Sequence, residues 1–559
     1  MRTRGAGRVI GVVAVLALAV AACGSSGSSA KSVKVVDLRG KATGQNPEVG
    51  VKAIDNKFDA EAIRINPGTT VKWTNDGRNA HTVTPASSKQ NFGAKFGVGA
   101  ESFTSGKTYE FKFAQAGTYH YYCTIHGSAT KGMIGTVIVG GGTSGAAAAA
   151  STGTKSGTIN VPADEPTIQK AVDAAKPGAL VLIAPGTYHE AVTVDTGHKN
   201  IVIRGEDRAT TILDGDFSEA AGKENGFKVL ADGVAIENLT ARNFKSNGFY
   251  WNGVTGYRGS YLTSVRTGDY GIYSFGATYG QFDHDFAMGS PDAGFYIGQC
   301  FPCHAVITDV EAEWNGLGYS GTNAGGDLNI VNSSWHDNRA GIVPNSGSGE
   351  ANPPQHGATF TGNTVFNNNN ALTPAIAIAK IAQGNGILLA GGNDNVAQRN
   401  LVYNHDVSGI AAITLPEKLI KTGDPKALNF NAHNNKVIGN NVSDSRQFDL
   451  GLVPSIDTAT DSLGNCFSGN TFTTSSPANI ETVVPCGAAA QPFTAELGRF
   501  AGLLTSAKPA SADYKTLVLP PIPALANMPN AKTAKPKPAT KANTPVKINV
   551  AAIKVPTKQ

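Results

Sequence analysis

Charge is scarce in this chain: Asp, Glu, Lys and Arg make up 16% of 559 residues against 41% hydrophobic, while glycine occurs 66 times. So little charge beside so many glycines and Asn-rich stretches argues against a helical cytoplasmic enzyme and for a turn-dense, exported chain with room for several cores. Acid is missing altogether from Lys532 onward, where seven lysines are spaced by Pro, Ala and Thr. That composition predicts a disordered tail over 528–559. Cysteine occurs six times, and no second Cys-x-x-Cys accompanies Cys300-Phe301-Pro302-Cys303, so no zinc set is completed. Nothing in the chain resembles a nucleic-acid fold, and no nucleic-acid partner is expected.

The first 22 residues carry arginines at 2, 4 and 8 and then the run VIGVVAVLALAVAA, too short for a firm bilayer crossing. This is a signal segment, and Val20-Ala21-Ala22-Cys23 resembles a bacterial lipobox. The resemblance implies cleavage before Cys23 and lipid on its thiol, which would hold the protein to the outer face of the cell membrane. A flexible tether over 23–47 follows.

The most informative stretch is YHYYCTIHGSATKGMIGTVIV, Tyr119 to Val139, with NAHTV upstream. Cys123, His126 and Met133 stand between strand-like runs, and His81 follows a strand-and-turn signal. Each alone is as readily a core or loop residue. Together, one thiolate, two imidazoles and a thioether form the set that holds a single type 1 copper ion with a weak axial sulfur. Around them AIRI, TVKWTN, TYEFKFA, TYHYYC and GTVIV alternate apolar and polar residues, which predicts antiparallel strands of a sandwich over 48–140. These residues resemble the cupredoxins of plastocyanin and pseudoazurin type. The resemblance implies a Greek-key β-sandwich with His81, Cys123, His126 and Met133 as copper ligands, and His126 as an electron port left uncovered by Gly127. Asn75 or Asn79 is expected to tie the His81 loop to the Cys123 loop.

After a linker over 141–157 the style changes. Thr167 to Ala175 reads as a short helix with an apolar face of Ile168, Ala171, Val172 and Ala175. Beyond it, glycines followed by an apolar or aromatic residue recur at 226, 248, 271, 294, 318, 341, 386 and 409, a period near 23 with one step of 45, almost two periods. Asparagines recur between them at 238, 332, 363, 400, 440 and 470, and leucine is too sparse for a leucine-rich repeat. The chain is thus read as all-β, its second part a parallel β-helix over 158–486 with asparagine ladders between coils. VPADEPTIQKAVDAA and GTYHEAVTV resemble the right-handed β-helix proteins of the pectate lyase superfamily, and the resemblance implies a right-handed parallel β-helix. Residues 352–375 and 416–432 read as insertions, and 487–527 as a segment packed along the solenoid.

Cys466 with Cys486 and Cys300 with Cys303 are expected as disulfides, the CFPC pair having a redox dithiol or half a metal site as alternatives. In the middle coils Asp285, His336 and Asp337 are the candidates for lyase or hydrolase chemistry, with His284, Asp309 and aromatic residues beside them. The alternative is that they satisfy turns. The leading expectation is one-electron transfer to an unidentified redox protein, the solenoid serving for docking or carbohydrate binding. The second is a cell-surface polysaccharide lyase or glycoside hydrolase with an accessory copper domain, and the third is copper capture or delivery.

Overall fold

The structure, a computed structural model, describes residues 34–41, 47–54, 56–77, 79–87, 96–141, 152–220, 222–420 and 427–558. The signal segment, Cys23, most of the tether and most of the linker lie outside the described residues.

Among the described residues the first domain has nine strands: β1 (Val35–Asp37), β2 (Glu48–Ile54), β3 (Lys57–Asp59), β4 (Ala62–Ile65), β5 (Thr69–Asn75), β6 (Thr84–Pro85), β7 (Thr108–Phe113), β8 (Gly117–Gly127) and β9 (Gly132–Val139). They form two sheets, ordered β1-β4-β9-β8-β6 and β3-β2-β5-β7. Alternation decides which side of each strand is buried: in β5, Thr69, Val71, Trp73 and Asn75 point inward and the residues between them do not. Trp73, fully buried, meets Tyr121 edge-on at 5.4 Å between ring centroids and anchors the core between the sheets. Gly135 faces Tyr121 across β8 and β9, and a Cβ there would stand 2.2 Å from the ring, so only glycine fits. Residues 35–37, expected within the tether, instead add an edge strand parallel to β4.

From Thr158 onward the described residues form three parallel sheets, of 12, 10 and 11 strands, that wind as a β-helix. Phe249 pairs with Ile272 and Ile272 with Phe295, one coil per 23 residues. Apolar side chains fill the interior, and buried asparagines bond from coil to coil at the turns: Asn363, Asn400, Asn440 and Asn470 run in one such ladder, each Nδ2 donating to the next Oδ1 at 2.8–3.0 Å. Helix α1 (Ile168–Ala174) has Thr167 as its N-cap, accepting from the Lys170 amide at 3.1 Å. It lays Ile168, Ala171 and Val172 against the first coil and closes the apolar end.

The 45-residue step is a single enlarged coil and not two periods, since Ile342 pairs directly with Ile387. Within 352–375, Ala358–Thr361 and Thr364–Phe366 are strands of the solenoid, so that stretch is not one insertion. Cys300–Cys303 and Cys466–Cys486 are disulfides.

The largest departure is the tail. Residues 528–558, expected to be disordered, run along the solenoid. Arg204 donates to the carbonyls of Ala531 and Ala534, Arg258 to that of Lys537 and Arg399 to that of Val550. The Lys541 and Lys558 ammonium groups each lie 4.3 Å from a tyrosine ring centroid, Tyr279 and Tyr403. A proline-spaced segment leaves its carbonyls unpaired, and arginines on the sheet supply the donors, which composition alone does not reveal. Among the described residues, no helix is long and apolar enough to cross a membrane.

Candidate metal centre at the domain junction

His81 precedes β6, Cys123 and His126 lie in the last turns of β8, and Met133 is the second residue of β9. The hairpin between β8 and β9 returns at Gly127 and Gly132, so Met133 is folded back beside the Cys123 segment. The two Nδ1 atoms of His81 and His126 face each other at 3.1 Å, and the Cys123 sulfur lies 3.6 Å from the His126 Nδ1 and 3.9 Å from that of His81. All three side chains and Met133 are buried.

Burial, with His81 and Lys228 beside it, pushes the His126 imidazolium form well down, so the ring is neutral, as a ligand must be. Burial pushes the Cys123 thiol up, while the Thr82 amide, 3.4 Å from the sulfur, opposes the rise. One sulfur and two converging imidazole nitrogens, shut off from water, fit a soft divalent or monovalent metal and have no evident use in packing.

Asn75 does brace the His81 loop, but through the carbonyls of Asn79 and Phe103, both at 2.8 Å. The tie to the Cys123 loop is made by Thr82: its hydroxyl oxygen accepts from the Thr124 amide at 2.8 Å. A threonine beside a histidine carries no signal in a sequence, and this residue was legible only from the structure.

His126 is not an open port. It is 2% exposed, because the end of the sandwich that carries this cluster is seated on the first coils of the solenoid. The Tyr250 ring stands edge-on to it, centroids 6.3 Å apart, and the Asn252 amide donates to the His126 carbonyl at 2.7 Å. Glycine at 127 leaves room for the returning hairpin and not for water: a Cβ there would stand 2.8 Å from the Met133 nitrogen and 2.9 Å from the Lys131 carbonyl oxygen.

The three solenoid candidates separate. Asp285 is 2% exposed; its Oδ1 accepts from the Leu262 amide at 2.7 Å, and its Oδ2 lies toward Gly259 in the wall. Burial, then Asp283, raises its carboxyl well above the usual range, so it holds a proton and braces a turn. His336 and Asp337 are adjacent on the outer face of the second sheet, beside a groove of about 870 Å³ lined by Glu311, His336, Phe366 and Tyr403 among others. The His336, Phe366 and Tyr403 rings stack there, centroids 4.6 and 5.1 Å apart.

Glu311, Glu313 and His336 also bring ligand atoms within 4.8 Å of one another. Yet the His336 Nε2 faces Glu311 at 3.1 Å and its Nδ1 faces Asp337 at 2.9 Å. Burial works to lower the basicity of this imidazole, but those two hydrogen bonds outweigh it and hold the pKa up to about 9. A ring protonated on both nitrogens has no lone pair for a metal and cannot act as a base at neutral pH.

Residues 46–140 match the family model described as copper binding proteins, plastocyanin/azurin family. The chain is 37% identical over 76 residues to amicyanin-alpha of Methylorubrum extorquens, covering 14% of this chain and 61% of that one. It is 38% identical over 102 residues to halocyanin of Natronomonas pharaonis, covering 17% and 58%. It therefore spans about six-tenths of the length of these curated relatives. Among solved structures, the A-module of the Azotobacter vinelandii mannuronan C-5 epimerase AlgE4 is 14% identical with a TM-score of 0.42, over 57% of this chain and 92% of that one. The chain thus joins a sandwich domain whose residues 46–140 match the plastocyanin/azurin copper-binding family to a parallel β-helix whose sheets run from Thr158 to Ser476.

Proposed function

We propose that this protein is an exported, lipid-tethered carrier of single electrons, its centre a type 1 copper site and its solenoid the docking module for a redox protein. The observation that carries the reading is the buried convergence of His81, Cys123 and His126, with Met133 folded back beside them. Copper bound there supplies a one-electron Cu(II)/Cu(I) couple. The chain's own part is rigidity: sandwich and solenoid hold the ligands from both sides, so a change of charge asks for little movement. Lipid on Cys23 accounts for the short apolar segment that ends at that residue.

Titrating the purified protein with Cu(II), with optical and EPR spectra, tests the reading. An intense visible thiolate-to-copper absorption with one equivalent, lost in Cys123→Ala, supports it. A copper complex without that absorption would sink it.

A second reading rests on the groove. Glu311 and Asp337 beside the edges of the stacked His336, Phe366 and Tyr403 rings suit a carbohydrate chain, the carboxylates accepting from its hydroxyls. Turnover across a panel of uronate-containing glycans, lost in Glu311→Gln, would favour a lyase or hydrolase. Inactivity across that panel leaves the groove without this role.

A further inference from the structure

Four consecutive carbonyls of the ligand loop are held by side chains of the other domain. Lys228 Nζ donates to the carbonyls of Thr124 at 2.5 Å and Gly127 at 2.8 Å, Asn225 Nδ2 to that of Ile125 at 2.9 Å, and Asn252 Nδ2 to that of His126 at 2.7 Å. The donors stand on the first coils of the solenoid, Lys228 in strand Phe227–Val229 and Asn252 in strand Phe249–Asn252, which pair in the third sheet. Lys228, Asn225 and Asn252 are 5%, 4% and 6% exposed. A lysine, an outward-pointing residue of a sheet, is otherwise among the most expensive to bury. Every residue from Thr124 to Gly127 between and beyond the ligands Cys123 and His126 thus has its carbonyl fixed from outside the sandwich.

We propose that Lys228, Asn225 and Asn252 are positioning residues of the metal centre: the solenoid completes the site by clamping the ligand loop, and the Lys228 cation raises the reduction potential. The inference rests on the copper reading above for its second half only. Loss of one electron leaves the centre one charge more positive, and a cation buried beside it in low dielectric disfavours that state. Glu224 faces the same junction, accepting from the Thr124 hydroxyl at 2.9 Å, and Asp195 accepts from the Ser128 and Thr130 hydroxyls nearby. Their charges act in the opposite sense, so removing the Glu224 charge and removing the Lys228 charge shift the potential in opposite directions. The oxidised and reduced forms also differ in how strongly they hold the solenoid, because a charge that favours one redox state in the docked form must be favoured by it in return.

The test uses the full chain with Lys228→Met, Asn252→Ser and Glu224→Gln, and Lys170→Met on the exposed side of helix α1 as control. In the metal-free protein, amide hydrogen exchange across 124–127 is expected to quicken about tenfold or more in Lys228→Met and Asn252→Ser, the loss of one or two hydrogen bonds from a local opening. In the copper-loaded protein the potential is expected to fall in Lys228→Met, rise in Glu224→Gln and stay put in Lys170→Met. Unchanged loop protection in both clamp variants overturns the clamp. An unchanged or raised potential in Lys228→Met overturns the electrostatic role. Should the chain hold no copper, the functional reading fails while the exchange comparison still decides the clamp. Should Lys228→Met not fold, Asn252→Ser carries the exchange measurement and Glu224→Gln the potential, where no rise overturns the electrostatic role.

Discussion

Asp285 occupies a turn column of the solenoid that holds Leu262 one coil before it and Val310, Ser333, Asn363, Asn400 and Asn440 in the coils after it, as the register of the following strands shows. An acid in a column built for apolar or amide side chains must keep its proton, which burial enforces. Below the ordinary carboxylate value of 3.8 both folded and unfolded chains are protonated and nothing is lost. As pH rises above it the unfolded chain ionises and the folded one does not, so stability falls. Asp285→Asn is therefore expected to raise the melting temperature at pH 7 by a few degrees, on the order set by one buried group, with the gain vanishing toward pH 3. His336 has the opposite sense. Its imidazolium is held to about pH 9, so its contribution is complete below 6.5 and lost as pH rises through 9. His336→Gln should lower the melting temperature at pH 6 by a few degrees and match the parent above pH 9.

Elements in this molecule are stabilised by repetition. Asn440 sits between two others: its Oδ1 accepts from the Asn400 amide and side chain at 2.9 Å, and its Nδ2 donates to Asn470 at 2.8 Å and to the Ala397 carbonyl at 2.9 Å. Asn440→Ala leaves a buried amide and carbonyl unpaired, so a loss of about 2–4 kcal/mol is expected from urea denaturation. An exposed asparagine in extended backbone, such as Asn441, should show less than about 0.5 kcal/mol. The asparagine spacing was legible because a ladder demands the same residue once per coil. The enlarged coil was misjudged as nearly two periods because an excursion of similar length leaves the same gap in the glycine count.

At the scale of the whole molecule, the tail and the domain junction are both long-range contacts. Arg204, fully buried and paired through Nε with Glu237 at 2.7 Å, donates from Nη1 to the carbonyls of Ala531 and Ala534. Deleting 528–559 strips those acceptors from it and an acceptor from Arg258. Truncation is expected to lower the melting temperature by about 5 °C or more while leaving the visible spectrum of a copper-loaded sample unchanged, since the tail runs over the first sheet and on to Tyr403 of the second, and the metal centre docks on the third. A tail that was only tethered would leave the melting temperature where it was.

The sequence by itself determined the two folds and singled out the residues that the structure gathers at the candidate centre. Period-two alternation, the 23-residue repeat and a cysteine, histidine and methionine gathered in one loop are local signals, each fixed by residues close together in the chain. The tertiary structure decided what surrounds that loop. Lys228, Asn225 and Asn252 lie about a hundred residues from the carbonyls they hold, and a lysine in a strand gives no sign of which backbone it will meet. His126 was expected at the surface on the strength of its own domain, and is covered because a second domain seats on it. Asp285 and His336 looked alike as polar residues two coils apart. Only burial on one side and paired carboxylates on the other separate a protonated brace from a clamped cation, and those depend on neighbours that sequence distance does not predict.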